Sequence, residues 1–185
     1  MSGYTVTPVQ RDVYVLLKAF LVTVTGLDPS LVIQGLPNRT AMPPASPGFV
    51  SMQLSRLKQL RTPEETWDYT AVAPTEIAVE QGTELRCQLD LYGAASGDWG
   101  AMLQTLLRDE TGCIALAGAD PTNPVCQPLY ASDAQLAPLD DSESQYEDRW
   151  TIEAILQYNP VTSVPMQFAD TLELTVINVD KTYPP

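Results

Sequence analysis

The sequence predicts an α+β domain, a twisted and mostly antiparallel or mixed β-sheet of about five or six strands with two helices packed on one face. Three observations predict it. From Glu84 to Leu91 the side chains alternate, with Leu85, Cys87, Leu89 and Leu91 set against Glu84, Arg86, Gln88 and Asp90, the period of a strand that buries one face. That strand leads through Tyr92 and Gly93 to Ser96 and an amphipathic helix over 97–109, carrying Trp99, Met102, Leu103, Leu106 and Leu107, and a strand that feeds such a helix is a sheet-plus-helix layer. A further helix over 7–25 has its own punctuation: Thr7 as N-cap, Pro8 at the first helical position, and Gly26 just past the end.

In order along the chain, the first helix places Val9, Val13, Leu16, Leu17, Phe20, Leu21 and Val24 on one face. Its many β-branched residues leave tertiary packing, rather than intrinsic propensity, to hold it. Leu31 to Ile33 reads as a short strand. Residues 35–48 contain Pro37, Pro43, Pro44 and Pro47, which forbid a central strand or a helix and predict a long, stiff loop. Phe49 to Leu60 alternates again, with Val50, Met52, Leu54 and Leu57 on one side, and Trp67 to Val72 continues as an extended segment. Thr75 to Tyr92 holds two alternating runs around a turn signal at Gly82. Residues 112–145 are less regular. Tyr146 to Tyr158 is a strand stopped by Asn159-Pro160, Leu172 to Val179 is the last strand, and the tail from about 180 to 185 is extended beyond a single domain spanning 1–185.

Composition narrows the chemistry. Histidine is absent, so no Ser-His or Cys-His nucleophile, imidazole base or His-containing zinc site can form, and the commonest hydrolase mechanisms are excluded. The net charge of -13 argues against phosphate neutralisation as a means of binding nucleic acid, which needs clustered Lys and Arg. Arg11, Asp12 and Lys18 interrupt the apolar N-terminal stretch, so it reads as neither a signal peptide nor a membrane span, and a soluble, intracellular chain is expected. Cys87 reads as a small core residue. Cys113 and Cys126 flank a loop where pairing or freedom is open on sequence alone.

Three stretches invite a functional reading. Asp140, Asp141, Glu143, Glu147 and Asp148 make an acidic run, but it lacks the glycine and oxygen spacing of a calcium loop and reads as a solvated loop. The segment GAASGDWG has no phosphate-loop pattern and reads as a turn and helix cap. The proline-rich loop displays Leu36, Asn38, Arg39 and Met42, followed by Phe49, on a scaffold with little entropy to lose. That composition suits a protein contact.

Taken together, VIQGLPNRTAMPPASPGFVSMQL, CQLDLYG, the helix opening SGDWGAML, YEDRW entering a strand and QYNP after it resemble the phage neck and tail terminator proteins, over about Val9 to Asn159. The proline-rich version of the loop departs from the pattern. The resemblance implies a small α+β subunit without enzymatic activity or cofactor. It would form a homo-oligomeric ring, typically a hexamer, at the head-proximal end of a tail, assembled in the bacterial host cytoplasm and residing in the virion. Its partners would be head-to-tail connector proteins and tail-tube and sheath proteins, with DNA passing through unbound and no membrane involved. The ring contacts are then expected around Leu36, Asn38, Arg39, Met42, Phe49, Trp67 and Tyr69, and the channel wall at Asp140, Asp141, Glu143, Glu84 and Asp90, whose charge would repel phosphate. The alternatives are another collar, head-completion or tail-tube ring component, or a small cytoplasmic protein that binds a metal or ligand.

Overall fold

In the computed structural model, which describes residues 3–35, 43–44, 46–67, 76–118, 120, 122, 124–137, 139–140 and 146–165, the elements follow in chain order. They are β1 (Thr5–Thr7), α1 (Gln10–Thr25), β2 (Val32–Gln34), β3 (Phe49–Gln59), β4 (Glu64–Thr66), β5 (Glu76–Glu80), β6 (Thr83–Tyr92) and α2 (Ser96–Leu106). There follow α3 (Glu110–Ala117), β7 (Gln127–Ala131), β8 (Gln135–Leu136), β9 (Leu139–Asp140), β10 (Tyr146–Glu147), β11 (Arg149–Tyr158) and β12 (Val161–Pro165). The α+β class expected from the sequence is the one the chain adopts.

β6, the strand with the cleanest alternation, is the middle of the main sheet. It pairs antiparallel with β3 on one edge and with β11 on the other along its whole length, in the order β2-β3-β6-β11-β7, with β8 also on β11 and β2 parallel to β3. Leu85, Cys87, Leu89 and Leu91 point to one face and are buried, joined there by Val50, Met52, Ile152, Ala154 and Leu156. All three helices cover this face, and Val13, Leu17, Leu21, Trp99, Leu103 and Leu116 close the core. Each such large side chain contributes about 1.5–3 kcal/mol on burial. A bulge between Leu54 and Arg56 resets the phase of β3, which is why Leu54 opposite Cys87 and Leu57 opposite Leu85 share a face despite their odd spacing.

Several local expectations are corrected. α1 starts at Gln10 rather than residue 7, because Thr7 is used in β1, paired with Val161, and the Val9 amide donates instead to the Asp12 carboxylate at 2.9 Å. Its end is as read: Gly26 is left-handed (φ 70°), and its N–H donates to the Val22 carbonyl. Ser96 falls inside α2 rather than capping it. A third helix, α3, lies in the stretch read as irregular. Its cap is Asp109, which accepts from the Thr111 amide at 3.0 Å, while Gly112 inside it obscured the helical pattern. Gly82 does not turn a hairpin: β5 and β6 run on in line, and β5 pairs with β12 and β4 instead. Glu64–Thr66, not the stretch from Trp67, is the strand before that region. Residues 68–72 and the strand expected at Leu172 to Val179 lie outside the described residues.

β4, β5, β12 and β1 make a second antiparallel sheet, in the order β1-β12-β5-β4. It is the extension of the first. β3, β6 and β11 continue into β4, β5 and β12 across breaks at the same level, bridged by Leu60 N–H to the Gly82 carbonyl and Gln81 N–H to the Pro160 carbonyl. The result is one bent three-stranded ribbon, backed by helices along only part of its length.

This packing makes three predictions. Gly48 enters β3 at φ 110°, and a Cβ there would lie 2.6 Å from the Tyr92 carbonyl oxygen and 2.9 Å from the Trp99 ring, so Gly48→Ala is expected to cost about 2–4 kcal/mol; chemical denaturation measures it, and an unchanged midpoint contradicts this account. Burial pushes both the Cys87 and Cys126 thiols up to about 12, while Cys113 is half-exposed. A thiol reagent at mildly alkaline pH should therefore modify one cysteine quickly, the one lost in Cys113→Ser, and the other two only on unfolding. Because the unfolded thiols ionise near 9 and the folded ones only near 12, stability should fall as pH rises through that window.

Candidate interaction surfaces

The face of the main sheet opposite the helices is polar and ion-paired. Asp90, with its side chain 13% exposed, accepts from Arg149 Nη2 at 2.9 Å, from Thr151 Oγ1 at 2.7 Å and from Gln88 Nε2 at 3.1 Å. Arg149 also lies 5.8 Å from the centroid of the Tyr92 ring, against which Phe49 stacks at 4.2 Å. Farther along, Arg86 meets Glu153 at 3.2 Å and Glu84 at 3.4 Å, and Lys58 reaches the other Glu84 oxygen at 3.8 Å. Alternation brings these groups together: Arg56 and Lys58 of β3, Glu84, Arg86 and Asp90 of β6, and Arg149 and Glu153 of β11 all fall on the same side of the pleat.

The residues expected to act fall in different places. Glu84 and Asp90 do share one face, but both are shielded and neutralised by cations that the sequence reading left out of account. The signal was available, since Arg86 alternates with them and YEDRW brings Arg149 into the next strand. Asp140 sits on β9, paired with Tyr146 of β10; Asp141 and Glu143 lie outside the described residues, as do Leu36, Asn38, Arg39, Met42 and Tyr69. Phe49 is 1% exposed. Its ring is covered within the chain, because the strand that carries it turns it onto Tyr92, so as it stands it offers no surface to a neighbour. Trp67 is half-buried just past β4, at the far end of the β3–β4 run from Phe49, and the two are not brought together.

The second sheet is the surface that sequence reading missed. Among the described residues α1, α2 and α3 pack on the main sheet rather than on this one. Among its described residues only Ile77 is buried, while Val6 is 44% exposed and the whole of β4 is open. Paired positions put Val6, Glu65, Ile77, Val79, Thr162 and Val164 on one side and Glu64, Glu76, Ala78, Glu80, Val161 and Ser163 on the other, so both faces mix apolar and acidic groups.

Among the described residues no three His, Cys, Asp or Glu side chains cluster as metal ligands. No helix there is long and apolar enough to cross a membrane. Buried polar side-chain atoms without a partner are confined, among the same residues, to Gln81 Oε1 and Ser96 Oγ. No curated protein matches the chain. The sequence model of a family described as phage neck terminator protein matches residues 11–181, and the chain belongs to that family of structural phage proteins.

Proposed function

We propose that the protein forms a closed ring of identical subunits, a hexamer, that ends the tail tube, offers its other side to the head connector and leaves a hole through which DNA passes. The observation that carries the ring is the second sheet, a folded ribbon end held by hydrogen bonds and, among the described residues, without helix cover, of the kind that becomes buried when a neighbouring subunit packs on it. Family membership supports the place of the ring in the neck. A structural role without catalysis fits the burial of the Cys87 and Cys126 thiols in the core and the ion pairs spent within the sheet.

The hole needs a wall that does not hold phosphate. The net charge of -13 supports this, since a phosphate backbone is retained by clustered cations and repelled by excess carboxylates. Glu84 and Asp90 contribute little to that field, because Lys58, Arg86 and Arg149 neutralise them.

Purified protein, viewed by negative-stain microscopy and sized by sedimentation, is expected to show rings with a central hole that do not retain duplex DNA at physiological salt. A phage lacking the protein is expected to make tails of uncontrolled length that do not join heads. A strict monomer at high concentration, or tails of normal length in the mutant phage, overturns the reading.

A further inference from the structure

A groove of about 650 Å³ runs between α1 and the outer edge of β2. Arg11, Tyr14, Val15 and Lys18 line it from the helix, one stripe at helical spacing, and Ile33 and Gln34 line it from the strand. β2 is the outermost strand of the main sheet on this side, and its edge is open among the described residues. The Gly35 N–H donates to the Met52 carbonyl at 2.7 Å, which in a parallel ladder turns Ile33 and Gly35 toward β3 and leaves the N–H and C=O groups of Val32 and Gln34 directed outward. Farther along, Leu54 of β3 donates to the Tyr14 hydroxyl at 3.0 Å rather than to a strand. Outward backbone groups beside a trough are a template for one more strand.

The groove's charge is unusual for this chain. Among the described residues Lys58, Arg61, Arg86, Arg108 and Arg149 all lie within ion-pair distance of a carboxylate, whereas Arg11 and Lys18 form no such pair. Asp28, which feels the charge of Lys18, is itself held by Ser30, and Asp12 is turned to the Val9 amide. Seven positions apart on α1, the two cations stand roughly 10 Å from one another along the helix axis. Three residues of extended chain cover roughly the same distance.

The molecule carries a strand that matches. β4 is the last strand of the second sheet, open on its outer edge among the described residues and three residues long, as β2 is. All three of its residues are exposed. β4 and its neighbour β5 bring Glu64, Glu65, Glu76 and Glu80 together with no cation of their own, and Arg61 pairs with Glu64 and Glu80 while Glu65 enters no ion pair among the described residues. The other outer strands of the two larger sheets, β1, β7 and β8, have no charged side chain, and Pro128 deprives β7 of a donor.

We propose that β4 of the next copy enters the α1–β2 groove as an added strand, its backbone pairing with the outer edge of β2 and its glutamates meeting Arg11 and Lys18. The proposal rests on the ring reading and gives it a seam, in which the second sheet of one copy closes on the main sheet of the next. A contact between two different surfaces of identical copies is the heterologous kind that closes rings. Backbone pairing supplies the adhesion, and charge selects the strand. The glutamates keep β4 from pairing with another β4, yet suit it to an edge flanked by unspent cations.

The test uses three full-length variants, Arg11→Glu with Lys18→Glu, Glu65→Lys, and Gln34→Pro, with circular dichroism confirming that each folds. Gln34→Pro removes an outward N–H but no bond of the internal ladder. Sizing by sedimentation is expected to show that each variant alone needs at least about tenfold more protein than the parent to assemble. An equimolar mixture of the two charge variants should restore rings of alternating subunits, since each junction again joins opposite charges. Gln34→Pro should stay impaired when mixed with either. Charge variants that each assemble like the parent overturn the seam while the ring stands. Charge variants that fail alone and also fail when mixed overturn β4 as the occupant. A Gln34→Pro protein that assembles like the parent overturns the strand pairing. A parent that never assembles overturns both the ring and the seam.

Discussion

The constraint on which the fold depends is that β6 is paired along both edges while its side chains alternate without a break. A strand in that position fixes everything beside it. Because Leu85, Cys87, Leu89 and Leu91 must all leave water together, the helices have one face to cover, and α1, α2 and α3 all lie there. Because Glu84, Arg86, Gln88 and Asp90 must then all face the other way, that side needs partners, and the flanking strands supply Lys58, Arg149, Thr151 and Glu153. Such half-buried ion pairs add little net stability. They add register instead, since a slip of one residue would drive Arg86 and Asp90 into the core.

The same ribbon explains why, among the described residues, the second sheet lies beyond the helices. Its three strands break at one level: at 60–63 between β3 and β4, at Gln81-Gly82 between β5 and β6, and at Asn159-Pro160 between β11 and β12. Arg61 ties the break, with ion pairs to Glu64 and Glu80, while the Gln81 side chain donates to the carbonyls of Arg61 and Gly82. Gly82 favours closeness rather than turning: a Cβ there would come to 2.9 Å of the Arg61 side chain, which would have to shift. A break shared by all three strands bends the sheet without ending it, and the hydrogen-bonded ribbon is carried past the helices.

What was legible in the sequence follows from this physics. The core strand, the helical stripes and the α+β class were readable because burial on one face writes a period into the side chains, as in Glu84 to Leu91 and Val13 to Leu21. The third helix was not, because α3 is eight residues long, holds a glycine, and is apolar nearly all round, so no period marks it. The turn signal at Gly82 left the pairing of its two flanking runs open for a related reason: it reports local backbone needs, while the pairing of β5 with β12 is decided by residues some eighty positions away. The site was less legible than the fold. Phe49 was read as a contact from its neighbours in sequence, but its ring is claimed by Tyr92, across the sheet.

Charge shows the same separation between composition and position. The net value of -13 describes the chain at long range, where it governs solubility and the repulsion of phosphate, and it was available at once. It does not say that every surface is acidic. On the polar face of the main sheet Lys58, Arg86 and Arg149 meet Glu84, Asp90 and Glu153, with Arg56 opposite Arg86, so the strand that looked like an acidic wall is locally balanced. Arg11 and Lys18, which in the sequence served only to break an apolar run, are brought onto one side of a groove by a helix that separates them by two turns. Within a Debye length of about 8 Å at physiological salt, a neighbour responds to such local arrangements rather than to the sum. A strongly acidic chain can therefore repel the DNA it conducts and still adhere to copies of itself, provided its few unspent cations are gathered where another copy can reach them.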